Sequence, residues 1–194
     1  MGTMDPHAPV RARAGPSRRA RLLAVLALGV GVAVALGVYG RLHPAAGRPL
    51  FTLGFSGMLQ MKAWLGSAAV ALLLVQVTTA LWMWGRLPGA GTAPPWAALV
   101  HRYSGSVAFV LTLPVAFHCL WALGLATTSP RVVVHGIAGC LFYGAFAAKM
   151  LGLRVRRLPR RAIPLLGVTL LALLVLAWLT AALWLFTRPG IPLT

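Results

Sequence analysis

The apolar residues of the chain are collected into five long runs, which are separated by short segments rich in Gly, Pro and Arg. None of the runs shows the two-residue alternation that is typical of a membrane β-strand. A helix needs about 20 mostly apolar residues to cross the hydrocarbon core of a bilayer. The pattern therefore predicts an all-α protein, a bundle of five transmembrane helices over residues 22–39, 63–84, 97–125, 132–151 and 163–186.

The composition points to the same class of protein. Of the 194 residues, 59% are hydrophobic and only 10% are charged, and the mean hydropathy is +0.84. Soluble domains carry about a quarter of charged residues. The first run follows an Arg-rich flank, as a signal peptide would, but it exceeds the usual apolar core of about 7–15 residues. We expect this first helix to be retained.

The basic residues predict the orientation of the helices. Lys and Arg total 18 against one acidic residue, a net charge of +17 that by itself would suggest a nucleic-acid partner. Most of them lie in or beside the N-terminal tail and the connections 85–95 and 152–162, on one side of a five-helix protein. The positive-inside rule makes that side cytoplasmic. We therefore expect a disordered cytoplasmic tail over 1–21, a five-helix domain over 22–187 and an extracytoplasmic tail over 188–194. The expected partner is the lipid bilayer of a bacterial inner membrane, and not nucleic acid.

The acidic residues are nearly absent. Asp5 is the only one, so no side-chain carboxylate occurs in residues 6–194. This excludes hydrolysis by paired carboxylates, proton relays through Asp or Glu, and carboxylate sites for calcium or magnesium. The two cysteines form no CxxC or CxxCH motif, and the phosphate-binding GxxxxGK[ST] and the nucleophile motif GxSxG are also missing. Whether the protein is an enzyme stays open.

Two histidines are the sharpest candidates for chemistry inside the membrane. His118 and His135 lie on the third and fourth predicted helices, at similar shallow depth on the extracytoplasmic side. Two neutral imidazoles at one depth are what a low-spin haem b needs as axial ligands. The two helices must splay for this, because neighbouring helices usually pack at about 8–10 Å. The alternative is a pair of histidines that only hydrogen-bond within the bundle.

Residues around this pair also suit a haem. Arg131 lies one turn from His135 on the same helical face, where it would pair with a haem propionate. Gly136 and Gly139 leave room for a flat macrocycle, and Pro114 is expected to kink the helix one turn before the third-helix histidine. Each feature also has an ordinary structural interpretation, since glycines permit close helix packing and arginines mark helix ends.

A second polar feature lies at the cytoplasmic start of the third helix, in the run His101-Arg102-Tyr103-Ser104-Gly105. His101 could exchange a proton with a quinone and Arg102 could hold an anionic oxygen, either of a quinone or of a propionate. The alternative is that both residues are interfacial anchors. His101 lies about 26 Å of helix rise from the outer histidine and points about 100° away from it, so the two do not line one stripe.

Two families resemble this chain at these residues. The run 101–105 is similar to the His-Arg-x-Ser/Thr-Gly motif of the cytochrome b subunit of succinate dehydrogenase, which lies by the quinone and a haem propionate. The five-helix plan with histidines on two helices resembles cytochrome b561-like and ferric-reductase-like membrane cytochromes. That resemblance implies electron transfer through haem b. Those families usually hold two haems with four histidines, whereas only three histidines here are embedded or nearly so, which favours one haem.

Most of the chain also resembles an uncharacterised family of membrane proteins from high-GC bacteria such as actinobacteria. The segments 51–57, 113–119 and 143–149 carry this likeness, and the excess of Arg over Lys fits such a genome. The resulting hypothesis is a membrane electron-transfer protein of the b-type cytochrome class. His118 and His135 would be its iron ligands, and a quinone or a redox protein its partner. The alternative is a non-redox membrane protein, either a structural or assembly subunit or a transporter of small solutes.

Overall fold

A computed structural model describes residues 17–155 and 158–188. Within them lie five helices long and apolar enough to span a membrane, and no strand. These are α1 (Arg18–Leu42), α2 (Met58–Met83), α3 (Pro95–Leu123), α4 (Pro130–Arg154) and α5 (Ala162–Phe186). The predicted all-α, multi-pass membrane architecture is confirmed. Residues 1–16 and 189–194, which make up most of the two predicted tails, lie outside the described residues.

The helices extend beyond the apolar runs into polar sequence. The hydroxyl of Ser17 caps α1 by accepting a hydrogen bond from the backbone N–H of Ala20 at 3.1 Å, so this helix begins at Arg18 and not at residue 22. Similarly, α2 begins at Met58, five residues before its apolar run. The apolar segment 51–55 stays outside α2. Both extensions place basic side chains on helices near the membrane surface.

The helices pack in pairs that do not all follow the order of the chain. Helix α1 packs along α4, α2 along α3, and α5 along α4, with a shorter contact between α5 and α2. The α1–α4 contact is very close at Gly29 and Gly144, where the two backbones touch. The helices α3 and α4 do not pack along their lengths, although they are consecutive. Their separation leaves space in the middle of the bundle.

Side chains bridge the gap between α3 and α4 in one half of the bundle. The ring of Phe109 stacks on that of Phe146 with centroids 3.7 Å apart. The hydroxyl of Tyr143 lies 2.9 Å from the carbonyl oxygen and 2.8 Å from the hydroxyl of Thr112. We call the end of the bundle with the connections 84–94 and 155–161 the inner end, after the orientation that the positive-inside rule predicts. The opposite end is the outer end.

The connection 43–57 covers the outer end. Backbone N–H groups of Ala46 and Gly47 donate hydrogen bonds to the carbonyls of Trp121 and Ala122 at 3.1 and 3.0 Å. Those carbonyls belong to a π-helical turn, Cys119–Leu123, with which α3 ends. A second π-helical turn, Leu179–Leu183, occurs at the same end of α5. Both turns flank the central space, and π-helical turns are frequent at functional sites.

Candidate functional site

A cavity of about 390 Å³ occupies the centre of the bundle towards its outer end. All five helices contribute to its walls, which are mainly apolar. Its volume falls in the range of about 300–1,000 Å³ that is typical of small-molecule sites. The side chains with polar or sulfur atoms that line it are Lys62, Thr112, Cys119, Thr128, Arg131, His135, Cys140, Tyr143, Trp178 and Trp184.

His135 presents a nitrogen lone pair to this cavity. Its Nδ1 lies 3.1 Å from the carbonyl oxygen of Ala177 and 3.3 Å from the hydroxyl of Thr180. A carbonyl oxygen only accepts, so Nδ1 carries the proton in the neutral ring. The lone pair is then on Nε2, which lies 3.9 Å from the sulfur of Cys119 across the space between α4 and α3. This is the tautomer and the kind of backbone anchor that histidine ligands of metals usually have.

Arg131 lies one turn nearer the outer end and is held in place from two sides. One guanidinium N–H donates to the carbonyl oxygen of Thr180, and the guanidinium carbon lies 3.7 Å from the ring centroid of Trp184. The exposed Arg188 lies on the same ring at 4.4 Å. A guanidinium has five N–H donors, so this anchoring leaves donors for a ligand. Arg131 and His135 were predicted to lie on one face of α4, and both side chains line the cavity.

His118 is not among the residues that line the cavity. Its Nδ1 donates to the carbonyl oxygen of Pro114 at 2.9 Å, and the side chain is fully buried. The ring of Phe51 meets it edge-on at 4.6 Å. Its Nε2 has no hydrogen-bond partner among the described residues, which is unusual for a buried polar atom. The structure therefore does not bring the two predicted iron ligands to one cavity, and their joint role stays a prediction.

His101 and Arg102 lie towards the inner end, away from the cavity. Nδ1 of His101 lies 2.9 Å from the hydroxyl of Thr79, which itself donates to the carbonyl of Val75 at 2.6 Å. This hydroxyl proton is already used, so the imidazole donates and keeps its lone pair on Nε2. The amide of Gln76 donates to the His101 carbonyl at 2.5 Å and ties α2 to α3. Arg102 is exposed.

The two glycines that were expected to leave room for a ligand differ in their surroundings. A Cβ built on Gly139 would meet nothing within 4 Å, whereas one on Gly136 would lie 3.5 Å from Leu125. Both glycines line the cavity. The open space beside Gly139 therefore agrees with a role in keeping the cavity free.

A family model matches residues 22–193, which include all five helices except the first turn of α1. The chain belongs to DUF6529, a family of unknown function. No curated protein and no solved structure matches it. The expected membership of an uncharacterised membrane-protein family is thereby confirmed. The family brings no activity with it, so the chemistry must be argued from the cavity.

Sequence reasoning missed Lys62 and Cys119 in this family member. Lys62 precedes its apolar run and was expected only as a basic residue of the outer side, but the early start of α2 at Met58 places it within the helix and on the cavity wall. Cys119 directly follows His118, the predicted iron ligand. Cys119 lines the cavity, whereas His118 does not. A signal for Lys62 was present, because it is one of only two lysines in the chain.

The arrangement combines three chemical features. The walls suit a flat or elongated apolar body, His135 offers one neutral nitrogen donor, and the cations of Lys62 and Arg131 offer charge at the outer end. Within the described residues, no group of three or more His, Cys, Asp or Glu side chains could hold a bare metal ion. The site therefore suits an organic ligand that brings its own ring or chain.

Proposed function

We propose that this protein is a b-type haem protein of the bacterial inner membrane that transfers electrons, with its haem in the central cavity. One observation carries the proposal. The cavity joins mainly apolar walls, the Nε2 lone pair of His135 and the cations of Lys62 and Arg131. Haem b has the matching parts, namely an apolar macrocycle, an iron that accepts imidazole nitrogen, and two carboxylates.

The side chains that could bind iron or propionates suit a single haem. His135 would be an iron ligand, because its tautomer leaves Nε2 free towards the cavity. Arg131 and Lys62 would hold the propionates. The buried Nε2 of His118 is also without a partner among the described residues, and it would serve as the second ligand only if its ring were brought to the cavity, which it does not line. When bound, the haem supplies reversible one-electron chemistry.

The residues of the chain supply orientation and an apolar environment. The carbonyl of Ala177 fixes the imidazole of His135, and this hydrogen bond raises the basicity of the ligating nitrogen. The connection 43–57 and the turn Cys119–Leu123 close the outer end by backbone hydrogen bonds. Mainly apolar walls of this kind influence the potential of a redox group.

The inner end would exchange electrons with a quinone or a redox protein in the same proposal. His101 offers its Nε2 lone pair as a proton acceptor for a quinol, because Nδ1 is bound to Thr79. The exposed Arg102 would hold an anionic oxygen at the membrane surface. This part of the proposal rests on the residue types of His101 and Arg102 and on their position at the inner end.

An optical spectrum of the purified protein tests the proposal. We expect a Soret band with haem close to one per chain, and its loss in His135→Ala. His43→Ala is the matched control, because His43 lies at the same end of the bundle, stacked on Tyr39 and outside the cavity. A protein purified from haem-replete cells without any Soret band would overturn the proposal, and so would a band that survives His135→Ala unchanged.

The placement of His118 favours a second candidate function. Its ring packs against Phe51 and Phe117 with centroids 4.6 and 5.2 Å apart, outside the cavity walls. A protein whose histidines only connect helices would be a non-redox membrane protein, a structural or assembly subunit or a transporter of small solutes. The spectrum separates the two candidates, because only the first absorbs visible light.

A further inference from the structure

Two cations line the cavity, and the described residues contain no acidic side chain that could pair with them. Lys62 enters from α2 and Arg131 from α4, and both are half-buried. No side-chain carboxylate occurs in residues 6–194. Cations within a membrane domain are costly and usually pair with an anion or line a functional path. A carboxylate that pairs with them is therefore not supplied by any described side chain, and a ligand could supply it.

Lys62 does not behave as an ordinary end marker of a membrane helix. A lysine near a helix end normally extends its ammonium to the aqueous surface. Here Lys62 lines the cavity and is half-buried. The inward direction places its charge where a ligand head would lie.

Arg131 is held so that its charge also remains at the cavity. Its contacts are the carbonyl of Thr180 and the ring face of Trp184, neither of which carries a negative charge. These contacts fix the guanidinium in position and leave its net charge unneutralised. A preorganised cation of this kind binds an oxyanion without first losing side-chain freedom.

We propose that Lys62 and Arg131 form a cradle for the acidic end of an amphiphile whose apolar body fills the cavity. The shared ligand chemistry is a carboxylate on a large apolar body. Haem has this chemistry in its propionates, and that case rests on the proposed function, whereas a free long-chain fatty acid has it without iron. In both cases the acid faces the outer end and the apolar body extends between α3 and α4.

The test compares ligands with and without the acid. Purified protein, freed of endogenous ligand in detergent, is titrated with haem and with haem dimethyl ester, and separately with a fluorescent long-chain fatty acid. Each charge-assisted hydrogen bond contributes about ten- to hundredfold in affinity. We expect haem to bind at least about tenfold more tightly than its ester, and Lys62→Met to remove about tenfold of that preference.

Matched variants separate charge from folding. Lys149→Met is the control, because it removes the only other lysine of the chain, which does not line the cavity. It should leave the preference unchanged, and Lys62→Arg should retain most of it. The comparison of acid and ester on the unmodified protein needs no variant, so a misfolded variant does not weaken the test.

The outcomes distinguish this inference from the haem proposal. Equal affinity for haem and its ester, without binding of fatty acid, overturns the cradle and leaves the haem proposal standing. Fatty-acid binding that depends on Lys62, with no haem binding, supports the cradle and overturns the haem proposal. Binding of neither acid overturns both.

Discussion

A close backbone contact between α1 and α4 predicts how α1 is held on the bundle. In the change Gly29→Ala, the new Cβ would lie 2.7 Å from the carbonyl oxygen of Gly144 and 2.9 Å from the Cβ of Ala148. Both distances are well inside van der Waals contact, and a backbone atom cannot turn away as a flexible side chain can. Overpacking of this kind costs about 1–3 kcal/mol.

The matched control is Gly31→Ala on the opposite face of α1, where a Cβ would meet nothing within 4 Å. Both changes gain the same helix propensity, about 1 kcal/mol, so their difference isolates the packing cost. At about 2–4 °C per kcal/mol for a chain of this size, Gly29→Ala should melt roughly 2–12 °C below the control.

Thermal unfolding in detergent, followed by tryptophan fluorescence, measures this difference. Equal melting temperatures for the two variants would refute the packing argument, because they would show that α1 moves away from α4 at no cost.

Two further substitutions and one labelling experiment test the walls and the cover of the cavity. Tyr143→Phe leaves Thr112 without the hydroxyl that bridges α3 to α4, and should lower stability by about 1–1.5 kcal/mol in the same melting assay; an unchanged melting temperature would contradict the bridge. A small membrane-permeant maleimide should label Cys119, which is half-buried, faster than Cys140, which is buried although it also lines the cavity, and a bound ligand should slow both reactions; equal rates would contradict the difference in burial. Gly124→Ala should destabilise by more than about 1 kcal/mol, because Gly124 has φ +63° and its Cβ would lie 3.1 Å from a carbonyl of α1; a neutral effect would mean that this turn relaxes.

The apolar pattern predicted all five helices for a physical reason. Inside a bilayer a segment must satisfy its own backbone hydrogen bonds, so a sufficiently long apolar run has few alternatives to a helix. The pattern placed the helix ends less well. Arg18 and Met58 begin helices well before the apolar sequence does. The hydroxyl of Ser17 caps the first of these helices, whereas Gly57 makes no side-chain cap bond to the second.

The end of the bundle at which each candidate residue lies was readable from the sequence, but the direction of its side chain was only partly readable. Arg131 and His135 share a face of the regular helix α4, and their spacing of four residues predicted this correctly. His118 stands where α3 passes from α-helix into a π-helical turn. Its direction depends on how α3 is rotated about its axis, which no hydropathy pattern specifies. That rotation brings Cys119 to the cavity in its place.

The three embedded histidines, His101, His118 and His135, share one tautomer, which determines the nitrogen that each can offer to a ligand. Each ring has Nδ1 bonded to an oxygen that can only accept there, namely a main-chain carbonyl for His118 and His135 and the hydroxyl of Thr79 for His101. In the neutral ring each Nε2 therefore keeps its lone pair, although the three residues lie on two helices. Only the Nε2 of His118 is a buried acceptor without a partner among the described residues, which costs about 1–3 kcal/mol, whereas that of His135 faces the thiol of Cys119 at 3.9 Å. The shared tautomer therefore determines which nitrogen of each ring could meet an iron or a transferred proton.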